Sequence, residues 1–515
     1  MGRAKRGRAN AIRDLPLDGA GPLHDQIYRA LRTAILAGRV VAGTRLPTTR
    51  GLAAELGVAR NTVVTAFDAL RAEGYVTGRV GAGTFVAAQV TSRAERPLES
   101  GRAGTRLRAG RGERSRGPRL SRFGRALARR APRRLYDAAA EAPVAFDFRP
   151  CVPELERLSY GAWRRELARA AWSLPTSTFD YGDPAGSPVL RGEIASHLAR
   201  ARGVVCRAEE IVIVGGLAQA LDLATRLLVD AGDAVLLEDP HYLGARRVFE
   251  AAGAELVGAP VDREGLVLER VPRRRLDRCR LAYVTPSHQF PTGVVLSLAR
   301  RQALLAWAER AGSWVLEDDY DSEFRYAGRA IPALKSLDDA DRVLYVGTFS
   351  KTLLPGLRIA YVVLPAALRE VYRSAKWLAD WSSPAFEQAV LARHLASGEF
   401  DRHLRRARTC YAASRAALEG AMRRALAPFG AEWHESRAGL HLLVRLPAIP
   451  APHPVALAAA ARRHGLGLYP VAPCHLAAPP ASFDLVMGFA RLAPAAIEAG
   501  VGRLADWLAA GPPPI

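Results

Sequence analysis

The stretch Gly347-Thr-Phe-Ser-Lys351-Thr-Leu-Leu-Pro-Gly-Leu-Arg358 separates two short apolar runs, Val343–Val346 and Ile359–Leu364, that are typical of buried strands. A lysine in such a turn can be desolvated enough to lose its charge and act as a nucleophilic amine. The same stretch contains groups suited to a nearby phosphate at Thr348, Ser350 and Arg358. The alternative is a solvated loop lysine. However, the chain has only four lysines against 69 arginines, so Lys351 is a candidate for chemistry that arginine cannot perform.

Apolar runs alternate with helix-length segments from about Phe146 onward. The strand candidates are Ile211–Val214, Ala234–Leu237, Leu281–Val284, Trp314–Leu316, Val343–Val346 and Ile359–Leu364. This alternation predicts an open α/β sheet of largely parallel strands. Ligands bind such sheets at the carboxyl ends of the strands.

Several candidate ligand groups follow these strands directly. The glycine turn 215–219 opens a helix whose free amides can hold a phosphate, although such turns are common. Tyr242 can stack on a flat heterocycle, or can be a core residue. Asp318 can keep a pyridine nitrogen protonated, which makes the ring an electron sink. With Lys351 as the imine lysine, these groups come in the order that a pyridoxal phosphate site requires.

Positive charge is concentrated at the front of the 515-residue chain, whose net charge is +22. Residues 1–90 carry 13 Lys and Arg against 6 Asp and Glu, and residues 91–134 carry 15 Arg against 3 Glu. The remaining 381 residues carry only about +3. This asymmetry favours a polyanion-binding front module joined to a nearly neutral body.

The sequence has no apolar run long enough to span a bilayer, and no signal-type segment follows the basic start MGRAKRGRAN. Its five cysteines are scattered without a CxxC spacing, which fits a reducing compartment. We therefore expect a cytoplasmic protein with no membrane partner and no metal site.

Three short helices are predicted in the first ninety residues. Apolar residues at helical spacing indicate the first helix within Leu23–Ala37. The second, Arg50–Leu56, has Thr48 or Thr49 as its cap and ends at Gly57. The third begins near Arg60 and is expected to bury Val63, Val64, Phe67 and Leu70. Its polar N-terminal residues lie where a recognition helix contacts DNA.

A glycine-tipped hairpin over residues 74–86 follows, with the shape of a wing. The whole string 45–86, RLPTTRGLAAELGVARNTVVTAFDALRAEGYVTGRVGAGTFV, resembles the winged helix-turn-helix of GntR-type bacterial regulators. This resemblance implies DNA contacts from Arg45, Arg50, Arg60, Asn61, Thr62 and the wing residue Gly81. For Arg45 we favour phosphate positioning without sequence reading.

Residues 91–140 are rich in Arg, Gly, Ala and Ser and predict a flexible, positively charged linker. The linker either adds salt-sensitive DNA affinity or only separates two domains. From about residue 146 to 510 the sequence resembles fold-type I aminotransferases. TPSHQFPTG (285–293) and EDDYDSEFRY (317–326) are close to the pattern of the MocR family of GntR-type regulators.

The MocR resemblance implies an α/β protein with a winged helix-turn-helix over 15–90 and an aminotransferase-like domain over 141–510. The latter would have a mostly parallel sheet and a smaller C-terminal subdomain. Pyridoxal 5'-phosphate would form an internal aldimine with Lys351, with Asp318 at its pyridine nitrogen, Tyr242 on the ring face and Tyr320 near the phenolic oxygen. Phosphate contacts are implied for Gly216, Leu217, Ala218, Thr348 and Arg358. The assembly would be a head-to-tail homodimer.

Two positions depart from the aminotransferase pattern. Where aminotransferases have an asparagine that bonds the phenolic oxygen, this chain has Phe290, which leaves His288 or Gln289 to compensate. Where they have the arginine that binds the substrate carboxylate, it has Val486 or Met487. Neither residue can pair with a carboxylate, which argues against efficient transamination of amino acids.

Three functions are compatible with these features. We favour a transcription regulator that binds an operator and senses pyridoxal phosphate itself. A regulator of the same build could instead use the bound cofactor to capture an amine or amino acid, which requires another cation such as Arg491 or Arg437. An active aminotransferase with an accessory domain is disfavoured by the recognition helix and the wing.

Overall fold

A computed structural model describes residues 15–79, 82–88, 119–129, 143–328, 331–434 and 438–511. The chain divides into two compact units, one within residues 1–115 and one within residues 116–515. Among the described residues, no helix is both long enough and apolar enough to cross a membrane.

The first unit contains three helices and a hairpin. They are α1 (Leu23–Leu36), α2 (Thr49–Leu56), α3 (Arg60–Ala72), β1 (Val76–Arg79) and β2 (Gly83–Val86). Thr48 is the cap of α2, because its hydroxyl accepts a hydrogen bond from the Gly51 amide at 3.1 Å. The helix ends at Gly57, whose φ of 65° suits a glycine. The predicted helix-turn-helix is therefore present, with the cap assigned.

The recognition helix α3 packs its apolar face into the core of this unit. Val63, Phe67 and Leu70 are buried as predicted. Val64 is only half-buried, and Ala66 takes its place in the core. The prediction for Val64 was wrong because this residue lies about 100° around the helix from its neighbour Val63.

The hairpin forms the predicted wing. β1 and β2 pair antiparallel, with Val76 opposite Val86 and Arg79 opposite Gly83. Val76 and Val86 are buried in the helical core, which attaches the hairpin to the helices. The tip, residues 80 and 81, lies outside the described residues, and with it the predicted contact Gly81.

The second unit is built on an eight-stranded sheet. Its strands are β4 (Ile211–Val214), β5 (Ala234–Asp239), β6 (Glu255–Asp262), β7 (Gly265–Leu266), β8 (Cys279–Val284), β9 (Trp314–Asp319), β10 (Val343–Thr348) and β11 (Ala360–Val363). Their order in the sheet is β4-β11-β10-β9-β8-β5-β6-β7. All six predicted strands are present, and β10, β9, β8, β5 and β6 are parallel. The sequence missed β6 and the antiparallel direction of β11, which follows β10 after a connection too short for a parallel crossover.

Successive residues of the strands face opposite sides of this sheet. In β5, Val235 and Leu237 join one buried apolar cluster, whereas Ala234 and Leu236 join another. Because both faces are covered, the strands are apolar throughout and polar residues occur at their ends. This arrangement places the candidate site residues together at one edge.

A smaller subdomain adjoins the large sheet. Its strands are β12 (Glu432–Trp433), β13 (His441–Arg445) and β15 (Leu485–Gly488), and β3 (Phe146–Asp147) pairs with β14 (Leu466–Gly467). The helices are α4 (Arg122–Arg129), α5 (Gly161–Ser173), α6 (Pro188–Arg202), α7 (Leu217–Leu228), α8 (Leu243–Ala252), α9 (Arg273–Leu276), α10 (Leu298–Ala311), α11 (Phe349–Thr352), α12 (Arg369–Asp380), α13 (Ala385–Ala396), α14 (Glu399–Ala425), α15 (Pro454–Arg462) and α16 (Pro494–Ala509). Helix α4 falls within the segment predicted as a linker, most of which lies outside the described residues.

Candidate functional site

A cavity of about 320 Å³ lies at the carboxyl ends of the central strands. The predicted residues that line it are Leu217, Ala218, Tyr242, Asp318, Tyr320, Thr348, Ser350, Lys351 and Arg358. Its other lining residues are Arg149, Pro150, Cys151, Val152, Tyr283 and Phe290. Residues far apart in the chain therefore meet at one site because the strands that carry them are neighbours in the sheet.

Arg358 lies against the glycine turn that precedes α7. Its guanidinium Nη2 donates a hydrogen bond to the Gly215 carbonyl at 2.9 Å. Gly216 does not line the cavity, but a Cβ at this position would lie 2.4 Å from Nη2 of Arg358. Gly216, with a φ of 110°, is thus the residue that lets the guanidinium approach the turn.

Lys351 lies in the short helix α11, directly after β10. The hydroxyl of Thr348 caps this helix by accepting a hydrogen bond from the Ser350 amide at 3.1 Å. The Lys351 amine has no hydrogen bond or salt bridge to the residues that the structure describes, and it lines the cavity. The amine is therefore not engaged in an ion pair with a described residue.

Asp318 lines the cavity at the carboxyl end of β9. Burial raises the pKa of its carboxyl to about 7, and a hydrogen bond donated by the Tyr283 hydroxyl at 2.6 Å opposes this rise. The next residue, Asp319, accepts hydrogen bonds from Arg202 at 2.6 Å and Tyr345 at 2.7 Å. Sequence reasoning missed Tyr283, although it lies in a predicted strand next to the site.

The hydroxyl of Tyr320 is held by a residue behind the cavity wall. It donates to the His288 carbonyl at 2.9 Å and lies 3.1 Å from Nδ1 of the same histidine. Nδ1 of His288 is also 3.0 Å from the Asp321 carboxylate. Gln289 instead donates to the Pro240 carbonyl at 2.8 Å. Of the two residues proposed to compensate for the missing asparagine, His288 is the one that contacts Tyr320.

The apolar side of the cavity contains both departures from the aminotransferase pattern. Phe290 lines the cavity and packs edge-on against Tyr242, with 5.7 Å between ring centroids. Val486 is fully buried in one apolar cluster with Phe290 and Tyr320. Met487 belongs to a different cluster on the other side of β15. Val486, not Met487, therefore occupies the side that faces this site.

Arg149 is the cavity cation that sequence reasoning missed. It follows β3, far from the other site residues in the chain, and no local pattern marks it. The predicted candidate Arg491 does not line the cavity; its side chain is 47% exposed and lies 3.2 Å from the Asp147 carboxylate. The other candidate, Arg437, lies outside the described residues.

In the first unit, the predicted DNA-contacting residues form an exposed polar surface. Arg45, Arg50, Arg60 and Asn61 are exposed, and Thr62 is half-exposed. The side chains of the three arginines have no hydrogen bond or salt bridge within the described ranges. Arg60 and Asn61 are in the first turn of α3, and Arg45 lies beside Gly83 of the wing. Unpaired arginines are available to phosphates and base edges.

Comparison with known proteins assigns both units. The pattern of bacterial regulatory proteins of the gntR family matches residues 23–86, and that of aminotransferase class I and II matches residues 160–501. The probable rhizopine catabolism regulatory protein MocR of Rhizobium meliloti is 37% identical over 95% of this chain and 94% of its own length. This chain belongs to the MocR family of GntR-type transcriptional regulators.

Other MocR-type relatives are named for different roles. The regulator TauR of Rhodobacter capsulatus is 36% identical over 76% of this chain and 78% of its own. The pyridoxine biosynthesis regulator PdxR of Corynebacterium glutamicum is 32% identical over 75% and 76%. Among solved structures, LysN, an α-aminoadipate aminotransferase of Thermus thermophilus complexed with N-(5'-phosphopyridoxyl)-L-leucine, has a TM-score of 0.67 and 28% identity, covering 75% of this chain and 97% of its own.

The residues of this MocR-type cavity fit a phosphorylated pyridine aldehyde. Arg358 and the Gly216 turn form a cradle suited to a phosphate, and a Cβ at residue 216 would clash with the Arg358 guanidinium. Asp318 is a buried carboxylate suited to a protonated ring nitrogen. Lys351 is an amine without a protein partner among the described residues. These three groups match the phosphate, the ring nitrogen and the aldehyde of pyridoxal 5'-phosphate.

Proposed function

We propose that this MocR-type regulator binds pyridoxal 5'-phosphate through Lys351 and changes its operator binding in response to the cofactor. The observation that supports this best is the convergence of Lys351, Asp318, Arg358 and Thr348 on one cavity. When bound, the cofactor supplies an aldehyde that reacts with amines and a ring that withdraws electrons. The relatives are named for different roles, so the support for this effector comes from the cavity alone.

Different residues of the chain would bind different parts of the cofactor. Arg358, the Thr348 hydroxyl and the backbone of Gly216, Leu217 and Ala218 would bind the phosphate. Asp318 would pair with the ring nitrogen, and the Tyr283 hydroxyl keeps its carboxylate oriented. Tyr242 would cover the ring, and Tyr320, oriented by His288, would face the phenolic oxygen.

We further propose that transamination is weak or absent. Val486 offers no charge at the position where the aminotransferase pattern has its carboxylate-binding arginine. Phe290 presents an apolar edge where that pattern has an amide. Both residues are buried in one apolar cluster, so a hydrated cation cannot occupy their place.

For the front unit, we propose DNA contacts from Arg45, Arg50, Arg60, Asn61, Thr62 and Gly81. The exposed arginines would bind phosphates, and the first turn of α3 would reach base edges in the major groove. We assign residues 15–90 to this domain, 91–140 to an arginine-rich linker that contains α4, and 141–510 to the cofactor domain, in a cytoplasmic protein.

A homodimer is proposed from an exposed aromatic patch on the second unit. Tyr181, Trp377 and Trp381 are 78%, 48% and 56% exposed, and neighbouring rings in the patch are 5.5 and 6.0 Å apart. Gln219 donates to Asp380 beside this patch and accepts from Gly215, so the patch adjoins the phosphate turn. Such a surface suits a second copy, arranged head to tail. Trp381→Glu should yield monomers in sedimentation velocity, and a persistent dimer would argue against this interface.

Coupling between cofactor and DNA would operate through this dimer. Occupancy of the cavity would favour one of two arrangements of the DNA-binding units, and the spacing of the operator half-sites would fit that arrangement better. Only a difference in cofactor affinity between the two arrangements can shift the equilibrium between them.

A DNA titration at fixed salt tests the proposal. Cofactor-stripped and reloaded protein are compared on the upstream region of the chain's own gene, by affinity and footprint. We expect a change of at least about fivefold on reloading. Lys351→Ala should keep nonspecific DNA binding and lose the response to the cofactor. Specific binding that ignores the cofactor would contradict the proposal, as would a normal response in Lys351→Ala.

A second candidate function is the capture of an amine or amino acid by the bound cofactor. The observation that favours it is Arg149, a cation that lines the cavity in addition to Lys351 and Arg358.

A further inference from the structure

The backbone around Arg149 crosses the strand that carries Val486. The Gly488 amide donates to the Phe148 carbonyl at 2.8 Å. A Cβ at Gly488 would lie 2.0 Å from the Arg149 carbonyl oxygen, so only glycine permits this contact. Residues two apart on a strand face the same side, and Gly488 therefore shares the face of Val486. Arg149 thus enters the site next to the position where the aminotransferase arginine would have been.

The guanidinium of Arg149 is held in a fixed orientation. Its Nη2 donates to Asp147 at 2.7 Å, and its Nε donates to the Tyr469 hydroxyl at 3.2 Å. The Tyr469 hydroxyl in turn donates to the other oxygen of Asp147 at 2.7 Å. The backbone is fixed as well, because Asp147 pairs with Gly467 of β14. A cation held in this way loses little entropy when it binds a ligand.

Part of this cation remains available to a ligand. Nη1 of Arg149 has no hydrogen bond to the described part of the chain, and the side chain is 18% exposed. Asp147 does not neutralise it fully, since Arg491 lies 3.2 Å from the same carboxylate. Two guanidinium groups thus share one carboxylate, which leaves an excess positive charge beside the cavity.

We propose that Arg149 binds the anionic group of a second ligand, so that the amine captured in the second candidate function is one that carries a carboxylate. This inference rests on the proposed binding of pyridoxal 5'-phosphate. Lys351 and Arg358 would be engaged by the cofactor, which leaves Arg149 as the lining cation for a second ligand. The anion-binding role is thus supplied by the segment after β3 instead of by β15.

Matched probe pairs test this selectivity in the full-length, cofactor-loaded protein. Glycine, 3-aminopropionate and 4-aminobutyrate are each compared with the same amine lacking the carboxylate: methylamine, ethylamine and propylamine. Binding is read from the absorbance spectrum of the bound cofactor. We expect at least one acid to bind about 10- to 100-fold more tightly than its partner amine, the range for a charge-assisted hydrogen bond.

Variants then assign the preference to a residue. Arg149→Gln should bring the best pair to within about threefold, mainly by weakening the binding of the acid. Arg149→Lys, which keeps the charge without the planar fork, should retain part of the preference. Arg491→Lys is the matched control, because it keeps the positive charge beside Asp147 and changes a residue that does not line the cavity, and it should retain the preference.

A competition measurement decides the case if Arg149→Gln does not fold. In the wild-type protein, propionate should compete with the preferred amino acid, because both would bind Arg149. It should not compete with the amine that lacks the carboxylate. Loaded protein that shows no preference for any acid overturns the inference alone, as does a preference that survives in Arg149→Gln. Protein that takes up no cofactor overturns the proposed function and this inference with it.

Discussion

The helix-turn-helix and the cofactor cavity present their functional groups in opposite ways. Arg50 and Arg60 are exposed and lack protein partners among the described residues. Asp318 is only 4% exposed and is tied to Tyr283 by a hydrogen bond of 2.6 Å. An exposed arginine stays hydrated until its ligand arrives, whereas a buried carboxylate has already lost its water and depends on its neighbours. Substitutions should therefore have large, coupled effects in the cavity and small, separable effects in the helix-turn-helix.

The largest effect is expected for Val486→Arg, which would insert a charge into the apolar cluster beside the cavity. Without a carboxylate there, the variant should lose about 4 kcal/mol of unfolding free energy. Denaturant unfolding of the second unit measures this loss. Val486→Ile is the matched control and should stay within about 1.5 kcal/mol of the wild type. A fully stable Val486→Arg would show that this side of the cavity is not the apolar region described here.

Asp318→Asn tests the buried side through pH. The pKa of Asp318 in the folded protein, about 7, lies above its ordinary value of 3.8, so ionisation costs stability as pH rises between these values. In cofactor-free protein, the variant should gain on the order of 2 to 4 kcal/mol relative to the wild type at pH 8 and little at pH 4. Thermal unfolding of both proteins across pH 4–8 measures the difference. The comparison isolates Asp318, because Glu238 and Glu317, whose pKa values burial also raises to about 7, are present in both proteins. A constant difference across this range would contradict the assignment.

Arg60→Ala tests the exposed side. The loss of one arginine contact at the start of α3 should weaken operator binding about tenfold and leave cofactor uptake unchanged. Fluorescence anisotropy with operator and random DNA measures the change. Arg71→Ala, at the other end of the same helix and paired with Asp68 at 3.2 Å, is the matched control and should bind almost as the wild type. Equal losses in both variants would indicate a general charge effect instead of a contact from Arg60.

Thr48→Ala should have the smallest effect. Removing the cap of α2 leaves the Gly51 amide without its partner and should cost the first unit about 1 kcal/mol. Thr48→Ser keeps the hydroxyl and should retain most of that stability. Chemical denaturation followed by a probe in the first unit measures both variants. A loss of several kcal/mol in Thr48→Ala would mean that this unit is as strongly coupled as the cavity.

The features that could be predicted from the sequence depend on local signals. Caps, helical spacing and a glycine-tipped hairpin act over a few residues, so the helix-turn-helix and its exposed side chains were predictable one element at a time. The same holds for the site residues at the ends of the predicted strands, since the carboxyl ends of parallel strands meet at one edge. Lys351, Asp318 and Tyr242 could be placed near one another for this reason.

The groups that reach the site from distant parts of the chain could be identified only in the folded structure. Arg149 reaches the cavity because β3 pairs with β14 and packs against Gly488, contacts that span more than 300 residues. Which of His288 and Gln289 contacts Tyr320, and which of Val486 and Met487 lies on the cavity side of β15, depends on the direction of each side chain, which is set by packing. Long-range packing leaves no local pattern in the sequence, and so Arg149 could be found only in the folded molecule.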